Sequence, residues 1–287
     1  MTWIVFALLA AFFSAVVNIT NKKTLINQSP IVLLWWASCF ALPILITSLF
    51  ITGIPTINQF FWPLILVVAL VGVLIELIFL KGVQLSPISL VMPFTAFTPL
   101  VVTVSSFLLL HETPNPLGIV GIILIVLGAY LITIQKPIKI SDPFKQVFKE
   151  RGILLIIASS VLWGITIPLG KLATQYSSAN FFSVIYMSLF LVYLFPIYLK
   201  IDQNKLTNFR LNYKAFSLIG VASAFVIFFT WQAISQGLAS YANSIISTRI
   251  LLIVLAGGYF LKEGSLKQRL LASSLMVLGV ILIIFNK

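Results

Sequence analysis

The chain has 287 residues, of which 60% are apolar and only 8% charged, with a mean hydropathy of +1.13 and a formal net charge of +12. Soluble domains carry about 25% charged residues, so this surface is not one that water can hold, and nucleic-acid binding goes with it because the positive charge has no soluble face to occupy. A single cysteine, Cys39, and a single histidine, His111, supply neither a disulfide nor a Cys/His metal site, and no cofactor is expected.

Spanning a bilayer takes roughly 20 mostly apolar residues per helix. Such runs fall at about 3–21, 31–51, 61–80, 88–110, 117–135, 152–171, 181–199, 214–237, 240–261 and 268–286. The chain therefore reads as an all-α polytopic membrane protein with ten transmembrane helices. Phe13-Ser14-Ala15 imitates a signal-peptide cleavage site, but no basic segment leads into the run, so the first helix is expected to be retained.

Residues 82–134 and 233–285 repeat one pattern: an apolar run, a glutamate, and a second apolar run carrying a glycine. An offset of 151 carries Glu112 onto Glu263 and Gly128 onto Gly279, which points to internal duplication. The units are 1–137 and 152–287, joined by a basic linker at 138–151. Five spans per unit is an odd number, so the second unit must enter the membrane upside down. The cations agree. They follow helices one, three and five in the first unit (Lys22, Lys23, Lys81, then Lys136 to Arg151), but helices seven and nine in the second (Lys200 to Lys214, then Lys262 to Arg269). By the positive-inside rule that face is cytoplasmic, the linker lies on it, and both termini point outward, with Lys171 and Lys287 towards the outer side. The charge then also serves contact with anionic lipid headgroups.

Polar groups inside spans are costly, about 2.5–3.5 kcal/mol for an ionised one, and so point to a cavity or a function. Helix one has Asn18 and Asn21, helix three Glu76, helix four Thr95 and Thr98, and helix six Thr166. Helix eight has Gln232 and Gln236, and helix nine Asn243, Ser247 and Arg249. Helices five and ten have hardly any. Arg249 suits a carboxylate or phosphate, and Glu76 an ammonium or a coupling proton; the alternative is a structural ion pair, or a Glu76 that reaches water or Lys81. Trp163, Tyr186 and Trp231 offer faces for stacking or packing. Pro93, Pro99 and Pro168 interrupt helices four and six as candidate hinges. Gly121, Gly128, Ala272 and Gly279 form small stripes, read as packing within each unit, with a dimer seam as the alternative. Glu112 and Glu263 are read as caps for the helix that follows each.

Leu110-His111-Glu112 with Gly121 and Gly128, and Leu261-Lys262-Glu263 with Gly279, resemble the EamA repeats of the drug/metabolite transporter superfamily. Trp163-Gly164 and Lys171 are similar to that family's first-helix pattern, from which Phe13-Ser14 and Asn21-Lys22 depart. The resemblance implies two inverted five-helix EamA repeats and a central cavity between helices one, three, four, six, eight and nine, the six that the polar residues select. Many members of the resembled family keep their termini in the cytoplasm, whereas the charges here argue for termini outside. Paired-carboxylate, Ser–His–Asp and phosphate-loop motifs are missing, so an enzyme is not expected. The expectation is a secondary transporter of the cell membrane, exporting a small metabolite, amino acid or drug-like compound by alternating access. Its partners would be that solute, the lipid bilayer and a coupling proton, and it would act as a monomer or homodimer. A membrane sensor or scaffold, and a lipid-headgroup translocator, are the rival readings. Candidate solute-binding residues are Asn18, Glu76, Thr98, Trp163, Thr166, Tyr186, Trp231, Gln232, Asn243 and Arg249.

Overall fold

The computed structural model describes residues 2–133, 150–200, 205–253 and 266–285, which are helical throughout apart from short connections. Residues 138–149 of the expected linker, and Glu263, lie outside these. The elements are α1 (Thr2–Thr24), α2 (Pro30–Thr52), α3 (Phe61–Leu85), the short α4 (Ile88–Val91), a 3-10 turn (Met92–Ala96), α5 (Phe97–Leu110) and α6 (Pro116–Thr133). In the second unit they are α7 (Arg151–Gln175), α8 (Ala179–Leu199), α9 (Lys205–Gln236), α10 (Ala239–Ile246) and α11 (Leu266–Phe285).

Local chemistry sets several of these boundaries. Ser29 and Ser178 cap α2 and α8, their hydroxyls accepting from Val32 N at 3.3 Å and Phe181 N at 3.2 Å. Gly53 ends α2 at φ 74°, a left-handed conformation that a glycine adopts without strain. Among the described residues seven helices are long and apolar enough to cross a membrane, while α6 and α11 contribute shorter apolar stretches, Pro116–Leu131 and Ser273–Phe285. The run expected at 240–261 is not one continuous helix: α10 stops at Ile246, residues 247–248 form a turn, and helix resumes at 249–253.

Large side chains such as Phe12, Leu70, Val104 and Leu278 point outward, while Ala7, Ala10, Ala69 and Ala233 are fully buried. A soluble core would reverse this placement. In lipid the outer face gains nothing by hiding, so small residues go to the helix contacts, where they let backbones approach.

The two units interlock. α1 packs on α9, and its counterpart α7 packs on α3, the counterpart of α9; α2 packs on α8, and α6 on α11. Counterpart helices run antiparallel. Trp35 of α2 stacks on Tyr198 at 4.8 Å, whereas Thr52, at the other end of α2, accepts from Asn180 at 3.1 Å. Along the α6–α11 seam Gly121 faces Gly279 and Ile283, while Ile125 faces Gly279. Residue numbers thus fall along one helix as they rise along the other, as expected of two units related by inversion. The glycine stripe therefore packs one unit against the other, not each unit against itself.

A side chain at Gly121 would run into the carbonyl oxygen of Gly279, which no rotamer change can move aside. Gly121→Leu is expected to lower stability by about 1–3 kcal/mol, the usual cost of overpacking, read from unfolding in detergent. An unchanged midpoint would mean that the seam is not in close contact.

Candidate functional site

The site starts from two broken helices. Pro93 lies in the 3-10 turn between α4 and α5, and the turn at 247–248 divides the ninth run. The 151-residue offset carries Ala96 and Phe97 onto that second turn and Thr98 onto Arg249. The breaks are therefore counterparts, and each delivers the next residue towards the middle of the bundle. Interrupted helices at mid-membrane are where inverted-repeat carriers place their solute sites. The second break has no proline to announce it.

Between the units lies a cavity of about 220 Å³. Nine of the ten candidate residues line it: Asn18, Glu76, Thr98, Trp163, Thr166, Tyr186, Trp231, Asn243 and Arg249. Its lining extends to Asn21, Leu33 and Ile219, towards the end of the bundle where α1 stops and α2 starts. Tyr186 gains its place because Gly72, one helical turn before Glu76, has no side chain to obstruct it.

Arg249 donates from Nη1 to Ser14 Oγ at 3.2 Å, and its guanidinium carbon lies 5.8 Å from the centre of the Trp163 ring. Its Nε is buried without a hydrogen-bond partner, as are Asn243 Nδ2, Thr98 Oγ1, Asn18 Oδ1 and Asn21 Oδ1. Asn18 spends its amide hydrogens on Ser14. Buried polar groups are nearly always paired, so this set of donors and acceptors calls for water or a solute. Glu76 faces the same cavity with no cation within 4.0 Å; among the described residues the one ion pair is Lys171–Glu112. Lys81 does not serve Glu76 either, since it donates to Gln84 Oε1 at 3.0 Å. Glu76 and Arg249 thus share a chamber, within reach of each other's field but not in contact.

Four expectations meet a different arrangement. Gln232 does not line the cavity: its amide donates to Asn180 Oδ1 at 2.7 Å, and its oxygen accepts from Gln236 Nε2 at 3.0 Å. Pro168 does not interrupt its helix, and α7 runs on to Gln175. Its missing N–H leaves the carbonyl of Gly164 free, and Ser105 Oγ of α5 fills that gap at 2.6 Å. Pro99 sits in the first turn of α5, where a missing N–H costs no hydrogen bond. Glu112 caps a helix, but not the one that follows it: Oε2 accepts Ala239 N, at the start of α10 in the other unit, at 2.9 Å.

Sequence reasoning missed Ser14, the residue that tethers Arg249. Its signal was present, because Ser14 is a polar residue inside the first apolar run. It also missed Asn180, which lies one residue inside α8 and so looks like part of a cap.

The model of the EamA-like transporter family matches residues 1–134 and again residues 150–285, one match per unit. A solved chain described as "Crystal structure of protein" superposes with a TM-score of 0.72, covering 98% of this chain and 96% of that one at 13% identity, a likeness of fold. No curated protein sequence matches.

Opposite charges more than 4.0 Å apart attract by less than about 4 kcal/mol at an effective dielectric near 20. Glu76→Gln and Arg249→Gln are each expected to destabilise the protein by leaving the other charge without its counter-charge. The double variant should recover about 1–3 kcal/mol over the sum of the two, measured by unfolding in detergent. Strict additivity would mean that the two charges do not sense each other.

Proposed function

Because the chain belongs to the EamA-like transporter family in both of its units, we propose that it is a secondary transporter moving a small amphoteric solute by alternating access. One observation carries the reading of the site: a guanidinium and a carboxylate line one cavity between the units with no ion pair between them. Arg249, with Asn243 and Thr98 of the same cavity lining, takes the anionic group of the solute. Glu76, with the amide oxygens of Asn18 and Asn21, takes the cationic or donor group. Trp163, Tyr186 and Trp231 wall the chamber, and Thr166 adds a hydroxyl. Two opposite charges held apart in a place that excludes bulk water each keep an unmet demand, and a zwitterion meets both at once.

The chain then forms ten spans as two inverted units, 1–137 and 152–287, with the basic linker 138–151 on the cytoplasmic side of the cell membrane and both termini outside. The cavity extends towards that cytoplasmic side, consistent with loading from within and export. Glu76 is the residue to carry a coupling proton when no cation of the solute occupies it. The polar chamber argues against a scaffold, for which no shared solute site is needed.

The test varies one charge of the solute at a time. Purified protein is expected to be stabilised against heat by an α-amino acid more than by its amide, which lacks the carboxylate, or by the matching acid, which lacks the ammonium. Each loss is expected to weaken binding by about 10–100-fold, the worth of a hydrogen bond to a charged group. Arg249→Gln should erase discrimination against the amide, and Glu76→Gln discrimination against the acid. Preference for an uncharged compound would sink the assignment. Binding without flux in proteoliposomes would favour a sensor.

A further inference from the structure

The end of the bundle opposite the cavity mouth is tied by polar contacts that solute binding does not use. Thr2 Oγ1 of α1 donates to Gln236 Oε1 at 2.8 Å, Gln236 Nε2 to Gln232 Oε1 at 3.0 Å, and Gln232 Nε2 to Asn180 Oδ1 at 2.7 Å. Asn180 Nδ2 completes the relay by donating to Thr52 Oγ1 at 3.1 Å. The relay crosses from α1 through α9 and α8 to α2, joining both units. Just inside it Phe182 packs on Trp231, ring centres 4.3 Å apart, and Trp231 is seated on Gly170. One residue further along α7, Lys171 is only 5% exposed, and its Nζ binds both Glu112 and the Gly237 carbonyl. Glu112 belongs to the first unit, and among the described residues both partners of its carboxylate, Lys171 and the amide of Ala239, belong to the second.

At the other end of the bundle a lysine of α1 is likewise bound to the end of a neighbouring helix. Lys22 of α1 donates to the carbonyls of Val83 at 2.7 Å and Ser86 at 2.8 Å, where α3 ends. The 151-residue offset carries Ser86 onto Gly237, so Lys22 does for α3 what Lys171 does for α9. Both partners of Lys22 lie in its own unit, and among the described residues no carboxylate lies within 4.0 Å of it. Among the described residues, a lysine is bonded across units at the end the cavity does not reach, and only within its unit at the end it does, where Ser86 Oγ donates to Glu150 Oε2 at 3.2 Å. Glu263, onto which the offset carries Glu112, lies outside the described residues.

We infer that the Lys171–Glu112 pair, with the Asn180–Gln232–Gln236 relay beside it, is the bolt of the gate on the face where α1 begins. The inference rests on the transport reading above. Opening that face requires Glu112 to leave both Lys171 and the Ala239 amide. Separating two ions that are nearly buried is unfavourable until water enters, so the step occurs only together with opening of the gate. Bolt strength, and not solute contact, then sets which way the empty carrier faces.

The test uses the full chain in sealed vesicles of known orientation, with Cys39→Ser and one reporter, Thr230→Cys, on the cavity wall. A membrane-impermeant maleimide is added from one side at a time, and thermal stability and flux are recorded for each variant. The parent should be labelled mainly from the face towards which the cavity extends. Glu112→Gln, which keeps the side-chain shape and loses the charge, should raise labelling from the opposite face about tenfold, as expected when a minor state is relieved of its penalty. Lys171→Gln should do the same, and Gln232→Leu should shift the ratio in the same direction. A residue that merely supports the fold would lower stability and leave the sidedness alone, and that result overturns the proposal. If the ion-pair variants do not fold, Gln232→Leu decides: unchanged sidedness removes the bolt, and a shift towards the opposite face upholds it. Absence of flux in the parent counts against the transport reading, whatever the labelling shows.

Discussion

A guanidinium in the middle of an apolar bundle must be solvated by something, and the arrangement of this protein follows from that demand. Arg249 meets it in part with Ser14 Oγ and with the face of Trp163, and the rest of its hydrogen-bonding capacity faces a cavity. A cavity at that depth can be sustained only where helices stop packing on one another. The paired breaks at Met92–Ala96 and at 247–248 supply that interruption from both units. Around it, helix contacts are made close by small residues, as at Gly121 against Gly279 and Gly72 against Tyr186. Close packing at the seams and a void at the centre are thus two halves of one solution: the scaffold stays rigid where glycine and alanine let backbones touch, and hollow where the breaks prevent it.

How much of this could be read from the sequence depends on what kind of signal each residue leaves. Class, duplication and inversion were legible, because apolar run length and the side on which lysines accumulate are set by the bilayer itself and not by tertiary detail. The cavity residues were legible for a related reason: in lipid a polar side chain such as Asn18 or Thr98 has almost nowhere else to go. Gln232 shows the limit. It obeys the same rule and lies inside a span, yet Asn180 and Gln236 satisfy it, and composition does not distinguish a glutamine bonded to glutamine from one that awaits a solute. Glu112 shows another. A carboxylate after a helix reads naturally as a cap for the next helix, but an inverted partner brings a different helix start, that of α10, within reach. Such a contact exists only once the two units have interlocked. The break after Ile246 was hidden because Ser247 and Thr248 carry no strong turn chemistry, and only comparison with the Pro93 turn exposes it.

The proline at position 168 makes a similar point about hinges. Losing an amide hydrogen would weaken α7, but Ser105 on α5 takes up the freed carbonyl, and the helix continues. A proline in a membrane helix is therefore a statement about which neighbour approaches, as much as about flexibility. In this fold it fixes α5 against α7, and so fixes the two units to each other beside the cavity.

The duplication also separates scaffold from chemistry. The 151-residue offset carries Glu76 onto Ile227, Met92 onto Asn243 and Thr98 onto Arg249. Three of those six, Glu76, Asn243 and Arg249, are the distinctive polar groups of the chamber, while Ile227 and Thr98 line it from the equivalent places. Each charge therefore occurs in one unit only. Had both units kept the same residue, like charges would face each other across the pseudo-symmetry axis, a repulsion that a low-dielectric centre does not tolerate. A twofold-derived cavity can hold an ion of either sign only if the duplicated sequences have diverged at the wall, and it can hold both signs only if they have diverged in opposite senses. On the transport reading proposed above, the wall residues that differ between the units are the ones placed to discriminate between solutes, whereas the small residues and helix breaks that the units share would serve any solute.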